Sequence, residues 1–332
     1  MTSRSVLVSR AVFPDIVARL REHFEVESND DDADWSQPEL IRRLQGKAGV
    51  FITGSDRIDA TLLDACPELR AVCTMAVGYN NIDVPACTAR GVLVSNSPDV
   101  LTETTADFGF ALMMAAARRI TESEQFLRRG EWNRWGVDMF AGADVHGATL
   151  AVLGMGRIGQ AIARRGALGF GMKVIYHNRS RLDEASEAAL GAHYVDKPTL
   201  LRDADHLMIV VPYSASSHHL IGAAELVQMK STATLTNIAR GGVVDDVALA
   251  SALKKRTIAA AGLDVFEGEP SVHPDLLALS NVVLTPHIAS SSIPTRRAMA
   301  NLAVDNLLAA LGVGPDAGRP PTPLNPSVLG VR

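Results

Sequence analysis

The stretch ATLAVLGMGRIGQAIAR, residues 148–164, decides how the rest of the chain is read. Leu150 to Leu153 is an apolar run of strand length; Gly154, Gly156 and Gly159 follow in G-x-G-x-x-G spacing, and Ile158, Ile162 and Ala163 then recur at helical intervals. A strand that enters a glycine turn and leaves as a helix is the phosphate-binding start of a dinucleotide fold. The first glycine permits the turn, the second lets backbone approach a pyrophosphate, and the third lets helix and strand pack closely, with the helix N-terminus facing the anion. Gly154, Gly156, Arg157, Ile158 and Gly159 are therefore candidate cofactor-binding residues.

Moving downstream, such a fold places a residue against the adenine ribose about 20 positions on, at the end of the second strand. Here that position falls in KVIYHNRSR, residues 173–181, where a carboxylate would accept from both ribose hydroxyls and repel a 2′-phosphate. None is present. Asn178, Arg179, Ser180 and Arg181 instead offer donors and a guanidinium, which matches a phosphate in charge and geometry. The expected cofactor is NADP, with NAD at lower preference.

Further downstream the alternation continues through DHLMIVV, TATLTNI, IAAAGLDV and NVVLTP, giving six strand candidates with ATLAVLG and MKVIYHN. Upstream a second series runs from Ser5 through SVLVS, FPDIVARLREHF, FEVES, QPELIRRLQGK, AGVFITG, ATLLDAC and LRAVCTM. Strands alternating with helical patterns imply parallel sheets with helices on both faces. Between the series lies TETTADFGFALMMAAARR, residues 102–119, a helix of small and apolar residues that reads as a seam between domains. PTRRAMANLAVDNLLAALG is a returning helix, and the tail GRPPTPLNP is too rich in proline for helix or central strand.

Composition bounds the function. With 332 residues, 47% hydrophobic, 21% charged and a net charge of −5, the chain suits a globular protein of two domains. No basic stripe with interleaved aromatics is present, so nucleic acid is not an expected partner. The longest apolar run, Phe108 to Ala117, is shorter than the ~20 residues a membrane span needs, and MTSRSVLVSR lacks a signal-peptide core. Cys66, Cys73 and Cys87 lack C-x-x-C spacing and read as reduced core thiols of a cytoplasmic protein. His218 and His219 lack a nearby third ligand in the sequence, so no metal is expected, and His146 before Gly147 reads as a turn.

Three polar signals follow later strands, at the edge where open α/β sheets bind ligands. Arg240 follows TATLTNI; Asp264, Glu267 and Glu269 follow IAAAG; His287 follows NVVL. An arginine, a carboxylate and a histidine at one edge suit a reaction that holds an α-keto carboxylate and protonates its carbonyl as hydride arrives.

VGYNNID (residues 77–83), TETTADFGFALMM, DVHGATLAVLGMGRIG, NIARGGVVDD, GLDVFEGEP and TPHIASS together resemble the D-isomer-specific 2-hydroxyacid dehydrogenases, and within them the glyoxylate/hydroxypyruvate/2-ketogluconate reductase branch. The resemblance covers nearly the whole chain. It implies two Rossmann-like doubly wound parallel-sheet domains with a cleft between them. Residues 1–101 plus 291–332 would form a flavodoxin-like substrate domain, and residues 102–290 the dinucleotide-binding domain.

The resemblance also implies roles. His287 would be the general acid in reduction and sit beside the cofactor; Glu269 would hydrogen-bond His287, and Arg240 would bind the substrate carboxylate and polarise the carbonyl. Backbone amides of Val77 and Gly78 would take the remaining carboxylate oxygen. Asp264 would accept from the nicotinamide carboxamide, Thr105 would sit near the cofactor, and Val211, Pro212, Ile238 and Ala239 would line it. Trp132 and Trp135 read equally as core packing or, as the resemblance implies, as part of a homodimer arm or a reach into the partner's active site. Tyr213 and Ser214 depart from the leucine-threonine type pair usual in the family, which leaves the adenosine contacts of that loop open.

The implied activity is NADPH-dependent reduction of glyoxylate, hydroxypyruvate or 2-keto-D-gluconate to the D/R-2-hydroxy acid. Alternatives on the same framework are phosphoglycerate, D-lactate or phosphite dehydrogenases, or a non-catalytic dinucleotide-sensing binding protein.

Overall fold

A computed structural model describes residues 5–330. The chain divides into two compact units, residues 1–101 with 292–332 and residues 102–291. Each is a parallel α/β layer structure of its own.

The first unit contains β1 (Ser5–Val8), α1 (Pro14–Arg21), β2 (Glu25–Ser28), α2 (Gln37–Leu44), β3 (Gly49–Ile52), α3 (Ala60–Ala65), β4 (Ala71–Thr74), α4 (Val84–Ala89) and β5 (Leu93–Ser95). Its five strands run in the order β2-β1-β3-β4-β5 with every pairing parallel. The reversal of direction lies between β1 and β3, the flavodoxin-like arrangement. β1, β3, β4 and β5 are buried along their whole length, because helices cover both faces of a parallel sheet. β2 is one of the two edge strands and carries Glu25 and Glu27; Glu27 is held below its ordinary carboxylate value because Lys47 and Arg43 outweigh the opposing cost of burial.

The second unit opens with α5 (Thr102–Ala117) and α6 (Ile120–Arg128). It continues through β6 (Thr149–Leu153), α7 (Arg157–Arg164), β7 (Lys173–His177), α8 (Glu184–Leu190), β8 (Ala192–Tyr194), α9 (Lys197–Asp203) and β9 (His206–Ile209). Then come α10 (Ala223–Leu226), β10 (Thr234–Asn237), α11 (Asp246–Lys254), β11 (Ala260–Leu263), α12 (Pro274–Leu277) and β12 (Val282–Leu284). Its seven strands take the order β12-β11-β10-β9-β6-β7-β8, all parallel. The chain leaves β6 toward β7 and returns on the other side as β9, so the switch point lies beside the glycine turn.

Helix starts follow local chemistry. Asp59, Asp83, Asp183, Asp196 and Asp245 each accept a backbone N–H of the first turn, as Ser292 does for α13 (Ile293–Ala310), the helix that completes the first unit. Proline stands in the first turn of α1, α2, α4, α9, α12 and α13, where its missing N–H costs nothing.

Two strands go beyond the sequence expectation, β5 and β8, each of three residues. Both are too short to carry a period of their own, and they persist because a longer neighbour, β4 or β7, offers a ladder. The proline-rich tail forms an isolated antiparallel bridge between Ser95 and Pro323 and a 3-10 turn at Pro326–Val328.

Candidate active site

β6 delivers the glycine turn. Gly154 takes φ +104°, and a Cβ there would lie 2.7 Å from the carbonyl carbon of Val210; at Gly159 it would lie 2.2 Å from the carbonyl oxygen of Gly154. These two glycines are required by the protein itself. Gly156 is different, since a Cβ built on it meets nothing within 4 Å. It also occupies the N-cap of α7 without any side-chain hydrogen bond, at the helix end whose dipole favours an anion. A further indication lies on α5, where the Thr105 hydroxyl is buried without a hydrogen-bond partner. The open cradle and the orphaned hydroxyl fit a dinucleotide.

After β7 the four polar residues of HNRSR divide. Asn178 turns inward, its Oδ1 accepting the Met155 N–H of the glycine turn at 2.6 Å. Arg181 is also committed: its Nε and Nη2 donate to Glu187 at 2.8 and 2.6 Å. Of the two arginines in this segment, Arg181 is thus the one already paired within the protein. Arg179 and Ser180 are exposed and have no side-chain partner among the described residues.

The loop after β9 carries Val211 and Pro212, and Ser217 braces it by donating to the Pro212 carbonyl and accepting from the Ser214 N–H. Tyr213 bonds His218 Nδ1 at 3.1 Å, and the His219 N–H donates to the Gly242 carbonyl at 2.7 Å. Folding brings Glu267 to these histidines, a third group that the sequence order did not place nearby. The two imidazoles are stacked at 3.9 Å and 22°, so their in-plane lone pairs do not converge on one point. His219 Nε2 lies 2.9 Å from Glu267 instead, tying two loops together.

After β10, Asn237 shapes the Arg240 turn, its Oδ1 accepting from Ala239 and its Nδ2 donating to the Arg240 carbonyl. The next residue must be glycine, because a Cβ at Gly241 would lie 1.7 Å from the Phe266 carbonyl oxygen. Burial draws the Arg240 guanidinium below its ordinary value, against the opposing charge of Glu269. Ile238 and Ala239 are buried in this turn.

After β11 and β12 come the groups that can move a proton. His287 Nδ1 lies 2.7 Å from Glu269 Oε2, while Glu269 Oε1 accepts the Phe266 N–H at 2.9 Å. Burial opposes ionisation of Glu269, but its bond and charge interaction with His287 hold the carboxyl below the usual range. His287 has a left-handed backbone at φ +53°, a conformation that costs a non-glycine residue about 1–3 kcal/mol unless its surroundings impose it. Asp264 supplies the constraint. It is fully buried, its carbonyl accepts the His287 N–H, and its carboxylate accepts from Thr285 Oγ1, the Ile288 N–H and the Ala289 N–H. Burial pushes the Asp264 carboxyl above its usual value. In this arrangement Asp264 builds the His287 loop.

A cavity of about 310 Å³ lies at this pair, walled by Phe266, Pro270, Val272, Leu284 and Pro286. A larger one, about 430 Å³, is lined by Arg119, Arg256 and the strand beginnings at Thr234 and Ala260. It is at the opposite edge of the sheet from the catalytic candidates.

In the first unit, Val77 and Gly78 follow β4. The Val77 carbonyl is held by Asn96 Nδ2 at 2.7 Å and the Ala76 carbonyl by the Ser97 N–H. The N–H groups of Val77 and Gly78 have no hydrogen-bond partner among the described residues. Asn96 was not singled out from the sequence; it lies 19 positions from Val77, with no pattern linking them.

Residues 110–289 match the family model of the D-isomer specific 2-hydroxyacid dehydrogenase NAD binding domain. A glyoxylate reductase of Thermococcus onnurineus is 45% identical over 331 residues, covering 98% of this chain and 97% of the relative. The chain belongs to the D-isomer specific 2-hydroxyacid dehydrogenase family. Membership makes it an enzyme of nicotinamide dinucleotide chemistry. A glyoxylate/hydroxypyruvate reductase B of Yersinia pestis is 46% identical over 308 residues, 92% of this chain and 94% of the relative. Among solved structures, the NADPH-dependent glyoxylate/hydroxypyruvate reductase of Sinorhizobium meliloti, in complex with NADP and malonate, superposes with a TM-score of 0.86 at 36% identity, covering 99% of both chains. No helix among the described residues is long and apolar enough to cross a membrane.

Proposed function

We propose that this dehydrogenase reduces a short 2-keto acid, glyoxylate or hydroxypyruvate, to the D- or R-configured 2-hydroxy acid, with 2-keto-D-gluconate as a longer substrate and NADPH preferred over NADH. The observation that carries the chemistry is the His287–Glu269 pair at 2.7 Å, with Arg240 and Glu269 attracting one another. The relatives named glyoxylate reductase support the substrate class.

When bound, the nicotinamide dinucleotide supplies the hydride. Glycines 154, 156 and 159, with Arg157 and Ile158 at the start of α7, hold its pyrophosphate; Thr105, Val211, Pro212, Ile238 and Ala239 surround it, and Asp264 meets the carboxamide. Arg179 and Ser180, with Asn178 behind them, receive the 2′-phosphate. His287 has Nδ1 occupied by Glu269, so Nε2 is the nitrogen that gives its proton to the keto oxygen. Arg240 takes the substrate carboxylate with its planar fork and polarises the neighbouring carbonyl. The N–H groups of Val77 and Gly78 take the other carboxylate oxygen. Residues 1–101 with 292–332 thus serve as the substrate domain.

The protein acts as a homodimer in this proposal. Support comes from the segment after α6, where Trp132, Trp135 and Val137 are 56%, 76% and 87% exposed and cost less against a partner than in water. Light scattering should give a mass of twice 35.4 kDa, and a mass of 35.4 kDa would overturn the dimer.

The deciding experiment follows loss of NADPH and, separately, NADH absorbance with glyoxylate, hydroxypyruvate, pyruvate and 2-keto-D-gluconate. Higher kcat/KM with NADPH and a two- or three-carbon keto acid is the expected result. Turnover with NADH alone removes the phosphate reading, and no turnover with either removes the reductase reading in favour of a dinucleotide-sensing binding protein.

A further inference from the structure

The turn after β7 is anchored at both ends. At its start, Asn178 Oδ1 accepts from Met155 at 2.6 Å, and the Asn178 carbonyl accepts from Tyr194 Oη at 3.3 Å. At its end, Arg181 makes a two-pronged bond to Glu187, and the Leu182 N–H donates to Tyr176 Oη at 2.8 Å. The two end anchors are one network, because Tyr176 Oη donates to Glu187 Oε1 at 2.6 Å. Only Arg179 and Ser180, between the anchors, lack a side-chain partner among the described residues.

The network is costly to build. Tyr176 is fully buried and Glu187 is 8% exposed, so a carboxylate has been taken largely out of water beneath a surface turn. Three donors compensate it, and Arg181 followed by Tyr176 hold the Glu187 carboxyl down at about 2. Burial, followed by Glu187, pushes the Tyr176 hydroxyl above its ordinary value, so it remains a donor. A link to α8 alone would not need a buried tyrosine reaching the Leu182 backbone. The geometry fixes the exit of a four-residue turn, Asn178 to Arg181, whose two middle residues face solvent.

We propose that Glu187 and Tyr176 are positioning residues for cofactor specificity: through Arg181 and Leu182 they hold Arg179 and Ser180 in the arrangement that receives a 2′-phosphate. This rests on the NADPH reading above. Arg181 acts as a tether in it, and the discriminating cation is Arg179. A preorganised donor pair keeps its affinity because ordering is not charged to the binding step.

The test is calorimetric titration of the full-length protein with adenosine 2′,5′-bisphosphate and with 5′-AMP, which differ in the 2′-phosphate. Arg179→Ala should remove most of the preference for the bisphosphate. Glu187→Gln should weaken bisphosphate binding about tenfold and Tyr176→Phe about threefold, each leaving AMP within about twofold. Tyr176→Phe keeps the ring in the core and the Arg181–Glu187 pair intact, so it decides the matter where Glu187→Gln fails to fold. Equal weakening of both ligands, an unchanged preference, or tighter bisphosphate binding from a released Arg181 would each overturn the proposal. If Arg179→Ala leaves the preference unchanged, the NADPH reading itself falls. A loss in Arg179→Ala with none in the other two variants sinks only the positioning role.

Discussion

Glu187 and Glu269 each face a basic side chain near a strand end of the second sheet, yet the two pairs are built for different work. The Glu187 side chain is 10% exposed and receives two prongs from Arg181 with Tyr176 as a third donor. Glu269 is 32% exposed and meets one nitrogen of His287, itself 46% exposed. A guanidinium stays charged at every working pH, so the first pair is a fixed brace. An imidazole can give up or take a proton, and with only Nδ1 of His287 tied to Glu269 the other nitrogen is kept for chemistry. The surrounding loops reflect the same division: the brace sits under a short turn, whereas His287 is held at φ +53° by a buried aspartate.

Breaking the chemical pair should have the largest effect. His287→Gln should lower kcat by about 10²–10⁴-fold while leaving NADPH binding, followed by nicotinamide fluorescence, nearly intact. Turnover near wild type would end the general-acid role. Glu269→Gln should cost about 10–100-fold at neutral pH. Its pH profile carries a sign: the Glu269 carboxyl lies below its ordinary value, so wild-type turnover persists into acid and falls only as pH passes through that lowered value. The glutamine variant should lack this acid limb, and a profile parallel to wild type would argue that Glu269 is not the group that titrates there.

Arg179→Asp leaves the catalytic pair untouched and should shift the NADPH-to-NADH ratio of kcat/KM toward NADH by about tenfold or more. An unchanged ratio would mean that the exposed turn does not read the phosphate. The smallest effect is on stability. The Glu187 carboxyl sits at about 2, below the ordinary glutamate value of 4.5, so its contribution is fully present above the latter and is lost as pH falls toward about 2. Thermal melts should therefore show Glu187→Gln losing less Tm than wild type over that interval, and parallel losses would show that the brace does not contribute.

Much of this was legible in order along the chain because the signals are local. The glycine turn, the apolar strand before it and the helix after it occupy fewer than 20 consecutive residues, and parallel strands buried on both faces read as continuous apolar runs. Arg240, Glu269 and His287 could be singled out because polar groups at the ends of such runs fall on one sheet edge. The sequence could not tell Arg179 from Arg181, two residues on, because Glu187, on the following helix, takes Arg181. Nor did the order of residues show that the Asp264 carboxylate holds the His287 loop through three donors supplied 21 to 25 residues later.

By itself, then, the sequence determined two parallel α/β units, the site of the pyrophosphate turn and the residue types available at the sheet edge, because periodicity, glycine sterics and capping act over a few residues. Only the tertiary structure decided which of those side chains stay free. The existence of β5 and β8, the approach of Glu267 to His219, the hold of Asn96 on the Val77 carbonyl and the commitment of Arg181 to Glu187 all depend on groups that share no turn or strand. A side chain is available for a ligand only when no neighbour has claimed its donors, and the neighbours are set by packing rather than by order along the chain.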